Sequence, residues 1–158
     1  ATALLALDAE LSLVGGNGTR SVPISEFYTG FLTNILQPGE LIHEIRLQVP
    51  EGKTAFEKYG RRHANTPSVV TAALSITTDK GNISHARIAL NAVGAHPVRA
   101  EKAEQYLLGK TINDEVIAAT GEIAADECSP FTDAIASEWY RRKMVPVVLA
   151  RALQSVSV

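Results

Sequence analysis

Lys58, Arg61, Arg62 and His63 fall within six positions of the stretch EKYGRRHANTPSVVTAALSI (57–76), and a mostly apolar run follows at once. Three kinds of chemistry suit such a cluster: a solvated basic surface, a nucleic-acid patch, or the rim of a pocket for an anionic ligand. Nucleic-acid binding calls for basic residues interleaved with exposed aromatics, and only Tyr59 stands beside the arginines. The 158 residues carry 15 basic and 17 acidic side chains, a net charge of −2, so no global field draws the chain to nucleic acid or to a membrane surface.

Other constellations are weaker. The four histidines, at 43, 63, 85 and 96, lie on different segments without HxxxH or HExxH spacing, which argues against a metal site. A GxSxG nucleophile elbow is absent. Carboxylate pairs such as Glu101 with Glu104, or Asp126 with Glu127, fall on helical surfaces and read as solvated charge. Cys128 is the single cysteine, which excludes an internal disulfide and a cysteine-based metal cluster. GGNG (15–18) lacks the spacing of a phosphate loop and has no helix after it, so it reads as a hairpin turn.

The elements that must position these residues divide at PEGK (50–53). Before it, ALLALDAELSLV (3–14) ends in a period of two and reads as a strand, with TRSVPI returning as its hairpin partner. Ser25 and Glu26 start a short helix through EFYTGFL, and QPGE punctuates it. ELIHEIRLQVP alternates, with Leu41, His43, Ile45, Leu47 and Val49 on one face and Ile42, Glu44, Arg46 and Gln48 on the other. After the boundary, TAFEKYGRR, VVTAALSITTD and ISHARIALNAVG form a three-stranded antiparallel meander. Helical spacing then takes over: RAEKAEQYLLGK stops at Gly109, Asn113 or Asp114 caps EVIAATGEIAADE, and ASEWYRRKMVPVVLARALQSV closes the chain. In that last helix Trp139, Met144, Val147, Val148 and Leu153 are its apolar residues, and Pro146 should bend it. The fold class is α+β: short strands and a short helix, then an antiparallel three-stranded sheet packed with a C-terminal helical cap. No apolar run reaches the roughly 20 residues of a membrane span, and no secretory signal is evident, so a cytoplasmic setting is the expectation.

Five segments, in order, resemble the FAD-binding (medium) subunits of molybdenum hydroxylases, the family of carbon monoxide dehydrogenase and xanthine dehydrogenase. They are LLALDAELSLVGGNGTRSVPISEFYTG, LQPGELIHEIRLQVP, KYGRRHANTPSVVTAAL, NAVGAHPVRAEKAEQYLLGK and ASEWYRRKMVPVVLARAL. The resemblance implies a C-terminal part of the FAD-binding domain over 1–52 and a carbon monoxide dehydrogenase flavoprotein C-terminal-like domain over 53–158. Ala1 rather than Met opens the chain, and the AGGTDL-type and TIGGN-type loops that bind the FAD pyrophosphate in the family are missing. The chain therefore resembles the C-terminal half of such a subunit, with an N-terminal half as its partner.

Also implied are a molybdenum-binding large subunit, which would hydroxylate the substrate, and a small subunit with two [2Fe–2S] clusters. Electrons would pass from these clusters to FAD and on to NAD or another acceptor. By the resemblance, Leu41 and Ile42 form an apolar wall for the isoalloxazine and Lys58 approaches the ring, with Tyr59 and His63 as further neighbours. Arg61, Arg62, Arg141 and Arg142 are assigned to ion pairs or subunit contact, and Asn65 stands where xanthine dehydrogenase-like members hold an acidic residue. The alternative is a flavin-free interaction domain in which the helical cap serves assembly.

Overall fold

Gly16 and Asn17 close the first hairpin, as GGNG demands: β1 (Glu10–Gly15) and β2 (Gly18–Pro23) pair antiparallel with Gly15 opposite Gly18, whose φ is +106°. A computed structural model describes residues 1–62 and 65–157. Ahead of the hairpin stands a short helix rather than strand, α1 (Thr2–Ala6), ended by Asp8 at φ +48°. Its buried face, Thr2, Leu5 and Ala6, explains why: the apolar run Ala3–Leu7 before Asp8 suits one helical turn that lies on the neighbouring sheet.

The helix expected through EFYTGFL is only α2 (Ile24–Phe27). Tyr28 turns extended, and β3 (Tyr28–Gly30) folds back on β4 (Thr33–Asn34), with Phe31 and Leu32 at the tip. β5 (Leu41–Arg46) then returns antiparallel to β1, giving a sheet of order β2-β1-β5. The even alternation expected along β5 is broken. Its register shifts by one residue between Ser12 and Leu13, leaving His43 without a partner, so Ile42 and Ile45 fall on the same face.

The second sheet, β6 (Lys53–Gly60), β7 (Ser68–Asp79), β8 (Asn82–Asn91) and β9 (Val98–Arg99), is the expected meander with a two-residue fourth strand added. Its strands alternate between two covered faces. Val70, Ala72, Leu74, Ile76, Ile88 and Leu90 join a core with α3 (Glu101–Leu107), α4 (Asp114–Asp126) and α5 (Glu138–Val156). Ala73 and Ala89 face the other way and join Leu5, Leu11, Leu13 and Phe27. The large sheet is therefore the middle layer between the helical cap and the small sheet.

Asp8 ties the layers electrostatically, pairing with Arg87 and with Arg99, both at 2.7 Å. Arg99 also pairs with the buried Glu104, which accepts the Ile88 N–H at 2.8 Å. Asn113 caps α4 by accepting the Val116 N–H, and Ser137 caps α5. Gly109 at φ +75° follows α3 as its stop.

α5 runs on through Pro146, where Gly121 of α4 lies against it: a Cβ at 121 would meet Pro146 Cα and Cβ at 2.9 Å. Forcing those backbones apart costs about 1–3 kcal/mol, more than the roughly 1 kcal/mol that alanine gains in helix propensity. Gly121→Ala is therefore expected to lower stability by about 1 kcal/mol net, read as the denaturant midpoint. An unchanged midpoint would show that α4 and α5 slide freely at this crossing.

Two of the apolar residues of α5 stand outside the core: Trp139 is 68% exposed and Val147 41%. Helical periodicity marks an apolar stripe and does not say what covers it.

Candidate functional site

Strand parity decides which side chains look into the space between the two sheets. Paired residues in an antiparallel sheet share a face. Leu11 pairs with Val22 and Ile45, and Leu13 with Arg20 and Ile42. Leu11, Leu13 and Val22 pack with Ala73 and Ala89 of the large sheet, so Ile42 and Ile45 project toward that sheet. On the large sheet Phe56 pairs with Ala73, which pairs with Ala89, and Lys58 lies two residues along from Phe56. Phe56 and Lys58 therefore project toward the small sheet.

The structure thus brings two of the three expected site residues to one inter-sheet side. Leu41 pairs with Val14 and lies on the outer face of β5. Tyr59 also points away: it packs in the helical core, and its hydroxyl meets that of Tyr140 at 2.9 Å. That hydrogen bond, with burial and the charge of the neighbour, raises the Tyr140 pKa. His63 lies outside the described residues. Two residues join the site that sequence reasoning did not single out. Ile45 was hidden by the bulge, and Phe56, which shares its face with Lys58 by simple alternation, was overlooked.

Burial makes the site unusual. β5 is a sheet edge with every residue exposed, Ile42 at 43% and Ile45 at 44%. β6 is also an edge, and Phe56 is 55% exposed. Lys58 is exposed and has no hydrogen bond or ion pair among the described residues. Exposed apolar side chains on the facing sides of the two sheets, with the Lys58 cation two residues from Phe56, fit a flat, largely apolar ring that gains negative charge on reduction. The described residues offer no cradle for a diphosphate, because GGNG closes a hairpin and the N-termini of α4 and α5 are capped by their own side chains. The fit is to the ring and not to the rest of FAD.

Arg20 and Glu40 set where β5 begins. Arg20 donates to both Glu40 carboxylate oxygens at 2.9 Å and to the Ile35 carbonyl at 3.0 Å, while Glu40 accepts the Gln37 N–H at 2.7 Å. The Arg20 hydrogen bond, then the Gln37 amide, outweigh desolvation and hold the Glu40 carboxyl down at about 2. Its folded pKa lies below the unfolded value, so the latch stabilises the fold above the ordinary carboxylate range and is lost as pH falls through about 2. Titration followed at the Glu40 side chain by NMR should show that low midpoint, and Arg20→Met should raise it, the Gln37 amide keeping part of the depression.

Of the arginines assigned to ion pairs or subunit contact, Arg141 and Arg142 make ion pairs and the other two do not. Arg141 is 2% exposed and binds Asp133 at 2.7 Å, and Arg142 lies 3.9 Å from Glu138. Arg61 and Arg62 donate instead to the carbonyls of Ala134 and Asn65. Burial pushes the Cys128 thiol up to about 12, so it is no nucleophile near neutrality. A cleft of about 780 Å³ lies between β5's exit and the large sheet, with Arg46, Glu51 and Arg87 among its lining residues. Among the described residues no three of His, Cys, Asp and Glu gather into a metal site, and no helix is long and apolar enough to cross a membrane.

Residues 54–156 match the CO dehydrogenase flavoprotein C-terminal domain, and the chain belongs to that family. Residues 1–50 match the FAD binding domain in molybdopterin dehydrogenase. Among individual relatives, the chain is 32% identical over 155 residues to the glyceraldehyde dehydrogenase medium chain of Sulfolobus acidocaldarius, covering 98% of this chain and 55% of the relative. It is 33% identical over 155 residues to the carbon monoxide dehydrogenase medium chain of Hydrogenophaga pseudoflava, covering 96% and 53%. Reconstituted CO dehydrogenase from Oligotropha carboxidovorans superposes with a TM-score of 0.93 at 30% identity, over 99% of this chain and 55% of that one. The chain spans about half the length of the curated relatives it matches.

Proposed function

We propose that the chain is the C-terminal part of the FAD-binding subunit of a molybdenum-containing hydroxylase, and that it forms one wall of the flavin pocket. Residues 1–52 would complete the FAD-binding domain and 53–158 would close over it. Bound there, FAD would accept electrons from [2Fe–2S] clusters on a small subunit and pass them to NAD or another acceptor. A large subunit would hold the molybdenum cofactor. The observation that carries the reading is the set of exposed side chains turned toward the space between the sheets: Ile42 and Ile45 on β5, and Phe56 with Lys58 on β6, the lysine unpaired among the described residues. Ile42, Ile45 and Phe56 would exclude water from the ring, and Lys58 would hold positive charge against it. Leu41, on the outer face, would support the wall from behind.

The diphosphate would then be held by the N-terminal half of the subunit. Co-expression of both halves should give an absorption band near ~450 nm that neither gives alone, the expectation for bound flavin. Well-folded, colourless protein from the pair would leave instead a flavin-free interaction domain.

A further inference from the structure

The two larger sheets have four outer edges, and three of them are guarded against a further strand. β2 carries Thr19, Arg20 and Ser21 and ends in Pro23, β6 carries Lys53, Glu57 and Lys58, and β9 is two residues long. Charge, proline and shortness are the ordinary means by which an edge strand avoids pairing. β5 is the exception. Leu41, Ile42 and Ile45 are exposed along it, and its two charged residues, Glu44 and Arg46, pair with each other at 2.8 Å. The edge away from β1 makes no backbone hydrogen bond among the described residues.

The strand pattern also outruns the sheet. β1 stops pairing at Arg46, yet the alternation Ile45, Leu47, Val49 continues up to Pro50. Leu47 is 46% exposed and Val49 87%, and the backbone from 47 to 49 makes no backbone hydrogen bond among the described residues. Leu47, Val49 and Pro50 line the cleft of about 780 Å³ beside the large sheet, so there is room next to them. A segment with a strand's periodicity and an unpaired backbone is half of a ladder. The bulge at His43 interrupts the edge, which leaves Glu44 to Val49 as its continuous free part.

β5 lies within the residues that match the FAD binding domain, while 54–156 match a C-terminal domain, and the chain spans about half the length of its relatives. The half that precedes the C-terminal domain is thus the part of the same folding unit that this sheet lacks. We propose that one extended strand of the subunit's N-terminal half pairs with Glu44–Val49, adding a fourth strand to the β2-β1-β5 sheet. Every second residue of that strand is apolar and packs beside Ile45, Leu47 and Val49. The proposal rests on the reading that the chain works with such a half. It goes beyond the flavin wall because backbone groups at an edge, rather than side chains between the sheets, make the contact.

The test follows amide hydrogen exchange in the ¹⁵N-labelled chain alone, with the unlabelled N-terminal half, and with that half plus FAD, while flavin absorbance is read in parallel. Adding the N-terminal half is expected to slow every second amide from Glu44 to Val49 by about 100-fold or more, and to leave the β2 amides as they were. Leu47→Lys with Val49→Lys should raise the Kd for the N-terminal half about tenfold or more. Both positions are exposed, so the denaturant midpoint of the chain alone should stay the same. Thr19→Lys, on the guarded β2 edge, should leave the Kd unchanged.

Amides from 44 to 49 that stay fast in a flavin-loaded pair would overturn the strand pairing and leave the flavin wall standing. Slowing in a colourless pair would sink the flavin wall and leave the pairing. Slowing that rises with the concentration of this chain alone, or that waits for the iron–sulfur or molybdenum chain, would give the edge another occupant and overturn the proposal. An unchanged Kd in the double lysine variant would overturn it as well.

Discussion

Arg141→Met is expected to cost about 3 kcal/mol, because breaking a buried ion pair by removing one partner costs about 3–5 kcal/mol and the Asp133 side chain left behind is a third exposed. The guanidinium donates to the Ser68, Val69 and Ala92 carbonyls at 3.2, 2.8 and 2.9 Å and to both Asp133 oxygens at 2.7 and 2.8 Å. These groups come from the start of β7, the end of β8 and the loop before α5. One side chain thus joins the sheet to the cap at the end where Arg61 docks. Methionine nearly fills the volume, so the loss is of hydrogen bonds rather than of packing.

Asp133 can recover water, whereas the buried Val69 carbonyl cannot. Asp133→Asn should accordingly cost less than Arg141→Met. Ala92 adds to the effect, since its φ of +64° is a strained conformation whose carbonyl Arg141 holds in place. Arg141→Lys should recover only part of the loss, because an ammonium lacks the planar fork that reaches several acceptors at once. The denaturant midpoint measures all three, and a loss below about 1 kcal/mol for Arg141→Met would mean that water replaces the guanidinium.

What the sequence made legible follows from rules that act within a few residues. GGNG forces a hairpin, Gly109 stops a helix, Asn113 caps one, and β-branched runs around short turns make a meander. The bulge at His43 carries no such mark, since a period of two looks the same whether or not one residue drops out of register. That slip moved Ile45 onto the face of Ile42 and took it from the face of Leu41. The β3–β4 hairpin was equally hidden, because its tip is Phe31 and Leu32 rather than glycine or asparagine. Trp139 was legible as apolar but not as exposed, since only its surroundings in three dimensions decide what covers it. The pairing of Arg20 with Glu40, and the four acceptor groups around Arg141, are long-range contacts that no local pattern announces.

Lys58→Met in the flavin-loaded assembly is expected to lower the flavin's two-electron reduction potential by about 20–60 mV. A unit charge at about 6 Å is worth roughly 1–3 kcal/mol at the intermediate dielectric of a protein surface, and 30 mV corresponds to about 1.4 kcal/mol for a two-electron couple. Lys58 is exposed on its edge strand, so screening favours the lower end of that range unless the N-terminal half covers it. The sign follows from the charge: a cation favours the more negative, reduced ring, and its removal makes reduction harder.

Glu57 is the internal control. It neighbours Lys58 on β6 but points to the opposite face, so Glu57→Gln should leave the potential nearly unchanged. Phe56→Ala tests the other half of the wall. It should loosen flavin retention and shift the potential less than the lysine change, because it removes apolar contact and no charge. Equal potentials and equal flavin content in Lys58→Met and the unmodified protein would separate Lys58 from the ring. The side chains turned toward the inter-sheet space would then be a surface for protein and not for cofactor, and the flavin-free interaction domain would be the better account of the same exposed residues.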